Sequence, residues 1–217
     1  MTRTRIKICG ITRPEDAQAA IAAGADAIGL VFYPKSPRAV TPEQAARIAA
    51  AVPPFVSVVA LFVDEPAEQV SRIITQVRPD MLQFHGEESP QYCQQFERPW
   101  IKALRVRPET NLAAACETYR ESRGVLLDSW QEGVPGGTGR TFDWRLAAHA
   151  LPLPVVLAGG LNAGNVGAAI GSLRPAAVDV SGGVEHSPGI KDAAGIRQFI
   201  AAVHTADQTL EGQLNDE

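Results

Sequence analysis

Arg5-Ile6-Lys7-Ile8-Cys9-Gly10-Ile11-Thr12 reads as a short β-strand that ends in a cysteine, turns on a glycine and leads to a helix start at Arg13-Pro14-Glu15. Side chains alternate across a strand, so Lys7 and Cys9 share one face. Ile6 and Ile8 share the other, the face that helices cover in a parallel α/β protein. A thiol at the carboxyl end of such a strand stands where these folds build active sites. Two readings of Cys9 follow: a small buried hydrophobe, as most free cysteines are, or a reactive thiol whose thiolate Lys7 stabilises by lowering its pKa.

Working outward, the same strand–turn–helix unit recurs. Apolar, β-branched runs fall at 5–8, 27–32, 56–62, 81–84, 101–105, 124–127, 154–157 and 177–180, with alanine-rich amphipathic segments between them. Helix starts are marked at Thr12, at Thr41 before Pro42-Glu43 and at Ser89 before Pro90. Eight strands with eight helices, at roughly one pair per 25 residues, satisfy the count for a single closed (β/α)8 barrel of the TIM type. An open doubly wound sheet is the competing architecture. It is disfavoured because no glycine-rich dinucleotide fingerprint follows the first strand, and because the notable residues lie after many strands instead of at one switch point. The barrel is expected to occupy residues 1–204, with 205–217 a polar, weakly packed C-terminal extension.

Composition narrows the function. With 217 residues, 45% of them hydrophobic, the chain can bury a core without disulfides or metals. Twenty basic side chains against 24 acidic ones give a net charge of −4, and no basic block suggests nucleic acid as a partner. The start of the chain lacks the apolar segment of a secretion signal, and no apolar run reaches the ~18 residues of a membrane span. A cytoplasmic location without membrane contact is expected. Cys9, Cys93 and Cys116 are odd in number and far apart, as in a reducing compartment. A monomer and a homodimer are both compatible with the pattern.

In a parallel barrel all strands open by their carboxyl ends onto one face. Those ends carry Cys9, Tyr33 to Arg38, Asp64, His85, Arg105, Asp128, Gly159-Gly160 and Ser181-Gly182-Gly183. The two glycine clusters follow strands seven and eight, where barrels commonly seat a phosphate on backbone N–H groups; the plainer alternative is that they only make tight turns. Strand three ends in Phe62-Val63-Asp64-Glu65 without such a cluster, so one phosphate is expected. Asp128 closes an apolar strand, where it can face the mouth beside Trp130 as a proton donor or serve as a cap. Asp179 lies in the last strand, which closes against the first, so it is expected to pair with Lys7 and also stands as a candidate substrate contact. Gln83 and His85 alternate on one face of strand four, and Arg38 follows a proline-bounded loop. Each is a candidate substrate contact that an ordinary capping or surface role would also explain. No spacing of His, Cys, Asp or Glu matches a metal site, and no serine elbow is present. The segment 129–140, with Gly133, Gly136, Gly137 and Gly139, is a candidate lid.

The strings KICGIT, GLVFYPKSPR, QFHGEE, LLD, GGTGRTFDW, AGGLN and VDVSGGVE, followed by PGIKD, closely resemble the phosphoribosylanthranilate isomerase family of tryptophan biosynthesis. The resemblance runs from about residue 6 to residue 203 and touches every strand end in order. It implies a single barrel that converts a small phosphosugar, N-(5-phosphoribosyl)anthranilate, to 1-(2-carboxyphenylamino)-1-deoxyribulose 5-phosphate, an Amadori rearrangement without cofactor. By the same resemblance Cys9 corresponds to the general base and Asp128 to the general acid. Arg38 corresponds to an arginine that contacts the substrate, and Gly159-Gly160 with Ser181-Gly182-Gly183 to the phosphate loops. One departure is visible: the family pattern carries a second serine where this chain has Gly182. Two other readings compete, another phosphosugar isomerase or epimerase on the same scaffold and a catalytically silent phospholigand sensor. The pairing of Cys9 with Asp128 argues against both.

Overall fold

The computed structural model describes residues 3–107, 109–129 and 151–215. Eight parallel strands close into a barrel: β1 (Arg5–Cys9), β2 (Ala27–Val31), β3 (Ser57–Phe62), β4 (Met81–Phe84), β5 (Trp100–Val106), β6 (Val125–Ser129), β7 (Val155–Leu157) and β8 (Ala177–Val180). Each pairs with the next, and β8 returns to β1 with Lys7 opposite Asp179. The helices described are α1 (Pro14–Ala23), α2 (Pro42–Ala50), α3 (Ala67–Val77), α4 (Pro90–Gln94), α5 (Leu112–Thr118), α6 (Val166–Leu173) and α7 (Ala193–Asn215). A short antiparallel hairpin, β9 (Glu185–Ser187) and β10 (Ile190–Lys191), lies between β8 and α7. Among the described residues, no helix is long and apolar enough to cross a membrane.

Alternation along each strand divides the molecule into two cores. Outward side chains such as Ile6, Ile8, Ile28, Leu30, Leu127 and Val178 join the helices in one continuous layer. Aromatic rings continue that layer around the outside of the barrel, with Phe32 stacked on Phe62 at 5.5 Å and Phe62 against Phe84 at 6.2 Å. Inward side chains form a separate plug of Ile101, Ala103, Leu126 and Ala158, with Met81 and Val156 against it. The plug lies inside the barrel, beneath the cavity at its carboxyl end.

Two local expectations are revised. Thr41 caps α2 through a full capping box with Gln44, and Ser89 caps α4, but Thr12 does not cap α1. Its hydroxyl donates instead to the carbonyl of Gly189, tying the β1–α1 turn to the β9–β10 hairpin. The boundary expected at residue 204 falls inside α7. Apolar positions continue at helical spacing past it, with Ala206 and Leu210 packed against the core. Asp207 accepts from the Thr4 amide at 2.8 Å and from the Thr4 hydroxyl at 2.7 Å. The polar composition of 205–217 concealed that stripe.

Candidate active site

The open end of the barrel holds a cavity of about 770 Å³, counting its mouth, and side chains from β1, β2, β3, β4, β6 and β8 and the loops after them line it. Cys9, Arg38, Gln83, His85, Asp128, Gly159, Gly160, Asp179, Ser181, Gly182 and Gly183 all border it, so the barrel brings every expected site residue to one place.

The cavity has an apolar and a polar wall. Cys9, Val31 and Leu61 form a small cluster with Tyr33 and Val63 on the side of β1, β2 and β3. The polar groups of β4 and β8, on the strands flanking that wall, and of β6 complete the lining. Cys9 is free, 5% exposed, and faces inward as the alternation requires. It fits there because its neighbour in register is Gly29: a Cβ at that position would stand 2.7 Å from the Cys9 sulfur and 3.1 Å from Lys7 Cε.

Lys7 lies below Cys9 and donates to Asp179 at 2.8 Å, both residues being buried. The expected pairing of strands one and eight is therefore present, and Asp179 also borders the cavity. The expectation that Lys7 would pull the thiol down overall is corrected. Burial pushes the Cys9 thiol above its ordinary value; Lys7 opposes this, but Asp179 adds to it. Lys7 is already matched by a carboxylate, so part of its field at the sulfur is offset.

Across the cavity, Asp128 accepts the Ser129 N–H on Oδ1 at 2.8 Å, and its Oδ2 lies 3.2 Å from His85 Nε2. Gln83 reaches the other ring nitrogen, Nε2 to Nδ1, at 3.0 Å. The backbone after β4 is braced from behind: Glu88 accepts from the Gly86 and Asp64 amides, each at 2.9 Å, and Lys102 donates to Glu88 at 3.1 Å. Trp130 and the glycine-rich segment 130–140 lie outside the described residues.

The glycine loops after β7 and β8 lie side by side at the cavity. Gly159 and Gly160 adopt φ +80° and +67°, a region that side chains resist. Asn165 donates to the Gly160 carbonyl at 2.9 Å. At Gly183 a Cβ would lie 1.9 Å from the Leu161 carbonyl, so the two loops pack together only because that position is bare.

Arg38 is not alone in the mouth, and its partners are residues to which sequence reasoning assigned no role. Its Nε and one Nη clasp Glu185 at 2.8 and 2.7 Å. Lys191 donates to the same carboxylate at 2.8 Å and to the Ser181 carbonyl at 3.2 Å. Burial opposes ionisation of Glu185, but Arg38 and Lys191 outweigh it and hold the carboxyl group below its usual value. The signal available in the sequence was Glu185 and Lys191 flanking Ser187-Pro188-Gly189, the pattern of a hairpin that returns two side chains to one edge.

Comparison with known proteins agrees with this geometry. The family model described as N-(5'-phosphoribosyl)anthranilate (PRA) isomerase matches residues 6–202. The N-(5'-phosphoribosyl)anthranilate isomerase of Pseudomonas syringae pv. tomato is 60% identical, over 94% of this chain and 99% of its own length. The crystal structure of phosphoribosyl anthranilate isomerase from Thermotoga maritima superposes with a TM-score of 0.85 at 43% identity, covering 93% of this chain and 99% of the other. A structure of such an isomerase in complex with reduced 1-(o-carboxyphenylamino)-1-deoxyribulose 5-phosphate superposes with a TM-score of 0.82 at 42% identity, over 93% of this chain and 99% of the other. A closed eight-stranded barrel, a thiol and a carboxyl group facing one cavity, and near-complete coverage at this identity together mean that the chain belongs to the N-(5'-phosphoribosyl)anthranilate isomerase family.

Proposed function

We propose that this chain performs its family's Amadori rearrangement, a step of tryptophan biosynthesis, with Asp128 as general acid and Cys9 as general base. One observation carries the reading: a free thiol on β1 and a carboxyl group on β6 border the same cavity, above which lie the glycine loops that follow β7 and β8. An acid and a base on well-separated strands can reach different atoms of one sugar.

The chemistry follows from those roles. Asp128 delivers a proton to the ribose ring oxygen while the aniline nitrogen pushes its electron pair toward C1. The C–O bond breaks and an iminium ion forms. The iminium acidifies the hydrogen on C2, which the Cys9 thiolate removes, and the resulting enolamine tautomerises to the ketone. Burial raises the thiol, so Cys9 must first lose its proton to solvent at the open mouth; the positive charge of the iminium then favours the thiolate, which takes the C2 proton and becomes a thiol again. The phosphate is taken by the backbone of Gly159-Gly160 and Ser181-Gly182-Gly183. The apolar wall of Val31, Tyr33, Leu61 and Val63 receives the aromatic ring, and Arg38 its carboxylate. Asp179 offers a contact to the sugar, while Gln83 reaches Asp128 through His85.

Loss of substrate fluorescence tests the assignment. Cys9→Ala and Asp128→Asn each lower kcat by about 10²- to 10⁴-fold, while reduced 1-(o-carboxyphenylamino)-1-deoxyribulose 5-phosphate still binds. Turnover at the unsubstituted rate in either variant removes that residue from its role.

A further inference from the structure

Gln83, His85 and Asp128 form one hydrogen-bonded chain, and the direction in which the Gln83 amide faces sets where its protons sit. The amide nitrogen of Gln83 carries only hydrogens to give, so His85 Nδ1 must accept at 3.0 Å. A neutral imidazole that accepts at Nδ1 carries its single proton on Nε2, and Nε2 faces Asp128 Oδ2 at 3.2 Å. The other carboxyl oxygen, Oδ1, accepts the Ser129 N–H at 2.8 Å and lies against Gly159, where a built Cβ would stand 2.9 Å from it; its second lone-pair position is the one left to carry a proton.

Resting on the reading of Asp128 as the acid, we propose that Gln83 is a positioning residue that fixes the tautomer of His85 and thereby confines the labile proton of Asp128 to Oδ1. While Asp128 is protonated, Oδ2 is its carbonyl oxygen and accepts from His85. Once the proton has passed to the sugar, the same N–H stabilises the carboxylate. One tautomer serves both halves of the cycle, and neither ring nor amide has to turn. The reversed amide would accept from Nδ1–H and present the Nε2 lone pair to Asp128. The acid would then donate from Oδ2 to His85, away from the substrate.

The surroundings of Gln83 support this role. It is fully buried on the inward face of β4, in register with Leu61 and Ile101, and its Oε1 has no hydrogen-bond partner among the described residues. An orphaned buried oxygen is costly, and an aliphatic side chain would avoid it. The bond that the amide makes is the one to His85.

Long-range proton–nitrogen correlation on the full chain with 15N-labelled imidazoles reads the tautomer, with His85 assigned by comparison with His85→Asn. The expected result is a proton on Nε2. Gln83→Glu, which keeps the shape but accepts from Nδ1, moves or adds a proton to Nδ1 and lowers kcat by about tenfold or more, with KM little changed. Gln83→Met, which neither gives nor takes at this point, loses less. A proton on Nδ1 in the unsubstituted protein overturns the proposal, as does an unchanged kcat in Gln83→Glu or an equal loss in Gln83→Met, which would mark a merely structural role. If neither variant folds, the spectrum of the unsubstituted protein decides. Full turnover by Asp128→Asn would instead remove the acid assignment and leave the tautomer of His85 as measured.

Discussion

Cys9 and Asp128 face the same cavity from β1 and β6, yet the protein holds them by different means. Around the thiol the neighbours are charged and matched: Lys7 with Asp179 at 2.8 Å, and Lys191 with Glu185 at 2.8 Å. Around the carboxyl group they are dipoles, the Ser129 amide and the His85 ring backed by the Gln83 amide. Burial outweighs the pull of Lys7 on the thiol, and Asp179 adds to burial, so Cys9 rests protonated. Neutral hydrogen bonds can serve a carboxyl group in both of its protonation states, which a fixed charge cannot. The side that must wait for the substrate's charge is built from matched ions; the side that must give and regain a proton is built from dipoles.

The contrast can be broken most forcefully at Lys7. Lys7→Met leaves Asp179 buried without its partner and is expected to destabilise the fold by about 3–5 kcal/mol, read by urea unfolding, with much of the loss recovered in Lys7→Met/Asp179→Asn. His85→Asn orphans no charge, so it should cost far less; equal losses at the two sites would abolish the distinction. A steric probe comes next. Gly29→Ala drives a methyl group to within 2.7 Å of the Cys9 sulfur, and displacing the thiol by an ångström is expected to lower kcat about a hundredfold in a protein that still binds product analogue.

The electrostatic half of the comparison is sharpened by the pH dependence of Cys9 alkylation, followed by mass spectrometry. The thiolate is the form that reacts. Because burial raises the thiol, its labelling rate should keep rising with pH beyond the ordinary thiol midpoint of about 8.5. Asp179→Asn removes a charge that pushes the thiol up, so the midpoint should move down; a midpoint already below that value in the unsubstituted chain would mean that Lys7 prevails. The smallest effect is expected at the phosphate loop. Gly182→Ser supplies the hydroxyl of the family pattern and should lower KM by roughly two- to tenfold, the worth of one hydrogen bond; an unchanged KM would show that backbone amides suffice.

Much of the fold could be read from particular residues. The eight apolar runs, the Thr41 and Ser89 caps and the shared face of Lys7 and Cys9 depend on local periodicity and local hydrogen bonds, which a chain carries along its length. The continuation of α7 past residue 204 was obscured because polar composition outweighed a sparse apolar stripe ending at Leu210. Glu185, Lys191 and Gly29 received no role because what matters about each is its neighbour: Arg38 lies 147 positions from Glu185, and Gly29 meets Cys9 only across two paired strands.

From the order of its residues alone, this chain determines a barrel of alternating strands and helices with a thiol, a carboxyl group and two glycine loops at the strand ends, because alternation and turn chemistry are short-range properties. Closure of the barrel decided the rest: that burial leaves Cys9 protonated beside the Lys7–Asp179 pair, that Glu185 clasps Arg38, and that Gln83 and His85 converge on Asp128. Those outcomes depend on distances and burial between groups far apart in the chain, and electrostatic energies take their size and balance from that geometry.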